Sequence, residues 1–247
     1  MHRIFLVASG KGGVGKSSLT AFLGRALVKL NKKVLLIDLD VALRSLDLIL
    51  NVTEKCVYDW GDVLDERASV SEAIVRGENG NPDLLCAPVK FSRSISEKGL
   101  LPVIVQVSRE DYDYIFLDAP AGLGEMISLG AGVADNSIVV ATPDEVCVRS
   151  AGVAADAIIS FGFKGETRLV INRYRKKESN KGMLLNADTV IDKTYVRLIG
   201  IVPEDSAISF HSVNHGAFNS DGPASKAYMR IAKRLEGEEI PLKFTNL

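Results

Sequence analysis

Three cysteines in 247 residues, Cys56, Cys86 and Cys147, form no CxxC and leave an odd count. They fit a reduced interior better than a disulfide framework, so a cytoplasmic compartment is expected. Charge of one sign is also missing: 30 basic residues meet 31 acidic ones, and the net charge of −1 excludes wholesale coating of nucleic acid. No apolar run approaches the roughly 18 residues of a membrane span. Met1 to Ala8 imitates a signal peptide, but the run is too short and Lys11 and Lys16 follow at once, so it reads as a strand. Aromatics are only 6 % of the chain, which leaves the basic stretch Arg173 to Lys177 without a stacking platform for bases; it reads as a solvated loop after a strand. Repeats, low-complexity tracts and a Pro/Gly/Ser linker are absent too, so residues 1–247 read as one domain with a tail over 236–247.

What is present is alternation. Short apolar runs rich in branched residues predict strands at Arg3 to Ser9, Lys33 to Asp38, Asp83 to Pro88, Tyr114 to Asp118, Ser137 to Thr142, Arg168 to Asn172 and Leu198 to Val202. Segments of helical period separate them. In the clearest, Leu19, Phe22, Leu23, Ala26, Leu27 and Leu30 line one face and the helix ends at Asn31. The fold class that follows is α/β, a P-loop-type domain with a mostly parallel central sheet and helices on both faces.

Gly10, Lys11, Gly12, Gly13, Val14, Gly15, Lys16 and Ser17 satisfy GxxxxGK[ST] directly between a buried strand and that helix. Glycines let successive backbone N–H groups turn toward phosphate oxygens, and the helix N-terminus, where Ser18 follows, adds partial positive charge. Lys16 is placed to reach the β- and γ-phosphates of ATP, and the Ser17 hydroxyl to ligate Mg2+. Asp118 ends a parallel strand on the ligand side of the sheet and fits a carboxylate that holds a magnesium water; Asp38 and Asp40 reach the same rim. Asp40, at the start of a loop, is best placed to orient attacking water, against the plainer reading of a helix cap.

These motifs resemble the MinD/ParA family of P-loop ATPases, whose deviant glycine loop reads KGGxGKS; here it is Lys11 to Ser17. The stretches Asp38-Leu-Asp40 with Arg44-Ser-Leu-Asp47, Asp118-Ala-Pro-Ala-Gly122, Ala141-Thr-Pro143, Asn172-Arg173-Tyr174 and Pro203-Glu-Asp205 follow the MinD-like order and spacing over Met1 to about Val213. The resemblance implies a nucleotide-sandwich homodimer in which Lys11 reaches the partner's phosphates, Asp40 positions water, and Asp38 and Asp118 support magnesium. It further implies that Asn172 bonds the adenine edge, that Arg173 packs beside the base, and that Pro203 to Asp205 flank it. The implied activity is slow ATP hydrolysis under the control of a protein partner, in placing the division septum. DNA is not an expected ligand.

Several positions depart from the family pattern. Ala42 stands where glycine is usual, Gly124 where an acid is usual, and Ser150 and Gly152 where two acids are usual, all beside the switch and dimer surfaces. The family's terminal basic amphipathic helix is replaced by a helix from Ala224 to Leu235, with Ala227, Tyr228, Ile231 and Leu235 facing a core. Beyond it, acids and Pro241 argue against membrane insertion, and Ile240, Leu242 and Phe244 alternate as an edge strand or docking tail would. Any place at the membrane's inner face is therefore not carried by this tail. His211 and His215 share metal-ligand spacing without a third ligand and read as a polar helix face. No cysteine closely follows Asp118, which argues against a cluster-bearing reductase, and no terminal tyrosine cluster marks a tyrosine kinase. Two other readings stand behind the leading one: a ParA-like DNA-partitioning or flagellum-placing ATPase, and a biosynthetic ligase on the same scaffold.

Overall fold

The computed structural model describes residues 2–41, 43–90, 93–208 and 222–242. Eight strands form a single sheet in the order β3-β4-β2-β5-β1-β6-β7-β8. They are β1 (Arg3–Ala8), β2 (Val34–Asp38), β3 (Ile74–Val75), β4 (Asp83–Leu85), β5 (Tyr114–Asp118), β6 (Asn136–Ala141), β7 (Glu166–Tyr174) and β8 (Arg197–Pro203). All pairings are parallel except that of the two-residue edge strand β3 with β4. Each of the seven strands expected from the apolar runs is present. Strand β3 was not anticipated, because two residues give no period to read.

Why these runs are almost continuously apolar is plain from the two cores. Leu6, Leu35, Ile37, Ile115 and Leu117 point into one, while Phe5, Val7, Leu36, Tyr114 and Phe116, their chain neighbours, point into the other. Successive strand residues face opposite sides, so a sheet covered on both faces is apolar at nearly every central position. Helix α1 (Lys16–Lys29) and the C-terminal helix Pro223–Leu235 cover the second face, with Phe22 stacked on Tyr228 at 5.7 Å between ring centroids. On the first lie α3 (Trp60–Leu64), α4 (Val70–Ala73), α6 (Leu101–Val107), α7 (Glu125–Ala131), α8 (Glu145–Ser160) and α10 (Ala187–Thr194). The shorter α2 (Leu46–Leu50), α5 (Arg93–Lys98) and α9 (Lys176–Asn180) lie in the connections between larger elements.

Three sequence expectations are corrected. Cys56 and Cys86 are joined, their Cα atoms 6.5 Å apart, and only Cys147 is free; sequence spacing hid the pairing because the fold returns the chain to Cys56 after 30 residues. The basic stretch is not a plain loop: β7 runs on through Tyr174, which pairs with Pro203, and α9 begins at Lys176. In the tail, Ile240, Pro241 and Leu242 form no strand. Instead the Arg234 guanidinium donates to the carbonyls of Ile240 and Pro241, each at 2.9 Å, and to that of Ile199 at 2.9 Å. The C-terminal helix itself matches its expected core face, with Ala227, Tyr228 and Ile231 buried and Leu235 packed against them. His211, His215 and Phe244 lie outside the described residues.

Candidate functional site

The carboxyl ends of the parallel strands share one rim, and the chemistry gathers there. Strand β1 ends at Ala8, and Gly10 to Gly15 turn the chain into α1. Gly13 and Gly15 sit at φ +80° and +86°, backbone that a side chain resists. Gly15 is constrained twice, since a Cβ there would stand 2.4 Å from the Asn172 amide nitrogen. That amide donates to the Val14 carbonyl at 2.8 Å, so Asn172, from β7, clamps the loop.

Helix α1 begins without a side-chain cap and without an acid in its first turn. Four other helices are capped: α3 and α4 carry capping boxes, and α8 and α10 are capped by Asp144 and Asn186. Helix α6 and the C-terminal helix lack both cap and acid as well, so the missing cap does not mark a site by itself. At α1 it coincides with the glycine loop and Lys16, and there the first-turn amides of Lys16, Ser17 and Ser18 suit an anion. Lys11 is exposed at the loop's crest, while Val14 beneath it is buried. The Lys11 charge reaches Asp144: burial pulls that carboxyl up, but bonds from Thr142 and the Cys147 N–H, aided by Lys11, hold it below the ordinary range.

Register sets Asp38 of β2 beside Asp118 of β5. Lys16 Nζ lies 3.2 Å from Asp118 Oδ1, which also accepts from the Thr20 hydroxyl at 2.9 Å, and Ser17 Oγ stands 3.4 Å from Nζ. Asp118 Oδ2 is buried with no hydrogen-bond partner. Such an orphaned carboxylate oxygen costs free energy unless something else meets it. Asp38 accepts from the amides of Asp40 at 2.9 Å and of Ser45 and Leu46 at 3.1 Å each. Burial, and then the charge of Asp118, push its carboxyl up to about 7 against those bonds. Two adjacent buried acids facing one lysine form a site short of positive charge. Among the described residues no cluster of three His, Cys, Asp or Glu side chains forms a metal cage. Mg2+ does not need one, because it keeps waters and takes one or two carboxylates together with phosphate oxygens. The residues present fit that ion.

Asp40 is half-buried, with Oδ1 accepting from the Leu43 amide at 3.2 Å in a turn. It does not cap α2, whose N-cap is Ser45. On the far side of the loop is a cleft of about 150 Å³ lined by Gly15, Ser18, Asn172, Arg173, Pro203 and Asp205 among others. Arg173 is exposed at φ +52°, and Pro203 is buried. Asp205 accepts from the amides of Ala207 at 3.0 Å and Ala224 at 3.2 Å, tying the cleft wall to the start of the C-terminal helix. Sequence reasoning missed Thr20, although a polar residue inside the buried stripe of α1 was a usable signal. It also read Tyr228 only as core, whereas its ring lines the cleft as well.

A parallel sheet whose first strand feeds a glycine loop and an uncapped helix, with a lysine and two strand-end acids beneath, defines a P-loop nucleoside triphosphatase. The AAA-domain sequence profile matches residues 2–155. The septum site-determining protein MinD of Synechocystis sp. is 35 % identical over 98 % of this chain and 92 % of its own length. Among solved structures, the MinC:MinD cell division protein complex of Aquifex aeolicus superposes with a TM-score of 0.88 at 34 % identity, covering 98 % of both chains. MinD of Pyrococcus horikoshii, complexed with Mg-ADP, gives 0.83 at 25 % identity over 96 % of each chain. This chain belongs to the MinD family of AAA-domain P-loop ATPases. Its activity is that of an ATPase, and its role is the MinD-like one in cell division.

Proposed function

We propose that the protein binds ATP with Mg2+, closes face to face with a second copy around the nucleotide, and hydrolyses slowly until a regulatory protein accelerates it, in septum-site placement. The observation that carries this reading is the pairing of an uncapped α1 N-terminus with the orphaned Asp118 Oδ2. The first asks for a phosphate and the second for a cation or its water. Bound Mg2+ would neutralise charge on the β- and γ-phosphates, held through Ser17, Asp38 and Asp118.

The chain's own groups do the rest. Backbone amides from Gly10 to Ser18 cradle the phosphates, and Lys16 turns from Asp118 toward the transferred oxygens. Lys11, exposed on the crest, lends its ammonium to the phosphates held by the partner copy, where negative charge develops in the transition state. Asp40 orients the attacking water on the open side of the γ-phosphate. Asn172, Arg173, Pro203 and Asp205 wall the cleft that takes the base, with the Asn172 side-chain carbonyl directed at the adenine amino group. The described residues contain no helix long and apolar enough to cross a membrane. The working place we infer is the cytoplasm, with contact to the inner membrane face made through the partner. The MinC:MinD complex of Aquifex aeolicus is the precedent for a protein partner.

Sizing with ATP analogue and Mg2+, beside turnover, tests the reading. Lys11→Ala should bind ATP yet remain monomeric, and Asp40→Ala should dimerise yet lose most turnover. Normal dimerisation and turnover in Lys11→Ala would refute the sandwich.

A further inference from the structure

We infer that Cys56 and Cys86 form a reversible thiol–disulfide exchange site that locks the segment following Asp38. Cys56 ends the short 3-10 turn Thr53–Lys55 and is half-buried, preceded by the exposed Lys55 and followed by Val57, 76 % exposed, and Tyr58, 39 % exposed. Cys86, just past β4, is 1 % exposed. Their Cα separation of 6.5 Å lies within the span a disulfide bridges. In a reducing compartment such pairs are transient and regulatory rather than structural, and this pair has the division of labour exchange needs. Cys56 is reachable from solvent, and Cys86 is placed to resolve from within.

The steps balance with a low-molecular-weight disulfide of the glutathione type as oxidant. The Cys56 thiolate attacks it, forming a mixed disulfide and releasing one small thiolate. The Cys86 thiolate then attacks the Cys56 sulfur, forming the internal bond and releasing the second. Two protein thiols are oxidised, one small disulfide is reduced to two thiols, and the two protein protons end on the departing thiolates.

The bond has leverage on the site because of what surrounds it. Trp60 donates its backbone N–H to the Cys86 carbonyl at 3.2 Å and its indole N–H to the Asp38 carbonyl at 2.8 Å, so Asp38 and the end of β4 already move together. Asp38 in turn holds the start of α2 through the Ser45 and Leu46 amides. From there to Cys56 the chain is held by the buried Leu46 and Leu50, by Ile49 and Val52 packed against the same core, and by Val52 N–H on the Asp47 carbonyl at 2.9 Å. A 3.4 Å contact of Arg25 with the Ile49 carbonyl and the exposed Lys55–Glu78 pair hold it more weakly, so the weakest stretch is the last turn, 53–56. Closing the sulfur bond fastens the far end of this span covalently to the sheet. The Asp40 loop is already held at its far end by Asp38; oxidation adds a covalent hold on the end of the span 45–56 that continues from it, and reduction removes that hold.

The test takes the full chain through glutathione buffers from wholly reduced to wholly oxidised, quenches with acid, alkylates in denaturant and weighs the intact protein. The expectation is three labels in the reduced form and one, on Cys147, in the oxidised form. Cys86→Ser should accumulate a glutathione adduct on Cys56, and Cys56→Ser none on Cys86. Rapid quenching of the native chain, mapped by peptide, reads the same order if Cys86→Ser does not fold. Amide exchange over 45–56 should slow about tenfold on oxidation. Three labels at every ratio, a first adduct on Cys86, or a bond that leaves exchange over 45–56 unchanged would each overturn the inference. Its effect on turnover rests on the proposed role of Asp40, but no nucleotide enters these measurements, so they stand or fall apart from that reading.

Discussion

Gly13→Ala and Gly15→Ala form a matched pair that isolates one contact. Both positions hold φ near +80°, so each alanine costs about 1–2 kcal/mol in backbone strain. At Gly13 nothing else lies within 4 Å of the new methyl group. At Gly15 that group would stand 2.4 Å from the Asn172 amide nitrogen, whose 2.8 Å bond to the Val14 carbonyl must break or lengthen. Leaving a buried acceptor unmet costs a further ~1–3 kcal/mol. For a chain of this size 1 kcal/mol moves the melting temperature by about 2–4 °C. Gly15→Ala should therefore melt roughly 4–8 °C below Gly13→Ala, taking the middle of that range. Differential scanning calorimetry of the nucleotide-free proteins reads the gap directly. Binding of a fluorescent ATP analogue should show the same order, because Asn172 lines the cleft beside Gly15. If the two variants melt within about a degree of each other, Asn172 does not clamp the loop.

Lys16→Met should abolish nucleotide binding and destabilise the free protein by about 3–5 kcal/mol, since it strands two adjacent buried acids; adding Asp118→Asn should return most of that in a urea titration. Thr20→Val should lower the apparent Mg2+ affinity in ATP binding, as it removes a 2.9 Å bond that orients Asp118. The pH dependence follows from Asp38. Its carboxyl rests near 7 in the folded chain, above the ordinary carboxylate range, so the folded state holds the extra proton between about pH 4 and 7. Stability of the metal-free protein should then fall as pH rises through that window and level off above it. Asp38→Asn should flatten the slope, and a profile unchanged by Asp38→Asn would refute the assignment.

Most of the sheet was legible because burial on both faces keeps the middles of the strands apolar, and runs such as Leu35-Leu36-Ile37 announce themselves. The sheet's buried polar residues stand mostly at strand ends, and Ser137 in β6 is met by Thr167. The phosphate loop was legible for the opposite reason: glycines and a lysine interrupt the pattern where a packed core would have no use for them. What escaped was set by neighbours distant in sequence. The Asn172 bond to Val14 joins residues 158 apart, and the Cys56 link to Cys86 depends on β4 lying beside β2. Thr20 was overlooked because its reason, the Asp118 carboxylate, lies 98 residues away. The tail over Ile240–Leu242 misled through alternation, which also describes a segment pinned by its carbonyls to a single arginine.

The rim where β2 and β5 end shows why ligand and fold belong to one account. A buried pair of carboxylates with one ammonium is a poor solution for a folded chain alone, and burial answers by pushing Asp38 toward its protonated form. Whatever supplies a divalent charge there removes the reason for that proton. Binding Mg2+ with a nucleotide should thus release protons below pH 7, and the same interaction free energy should appear as added stability. Nucleotide without the metal would add phosphate charge to a rim already short of cations, and should stabilise the chain far less. On the proposed reading, Asp38 and Asp118 are the groups whose charge should change with the nucleotide. Because Asp38 accepts from the Ser45 and Leu46 amides, amide exchange at the start of the segment that leads to Cys56 should change between the metal-free and Mg2+–nucleotide forms, and identical exchange there would refute that coupling.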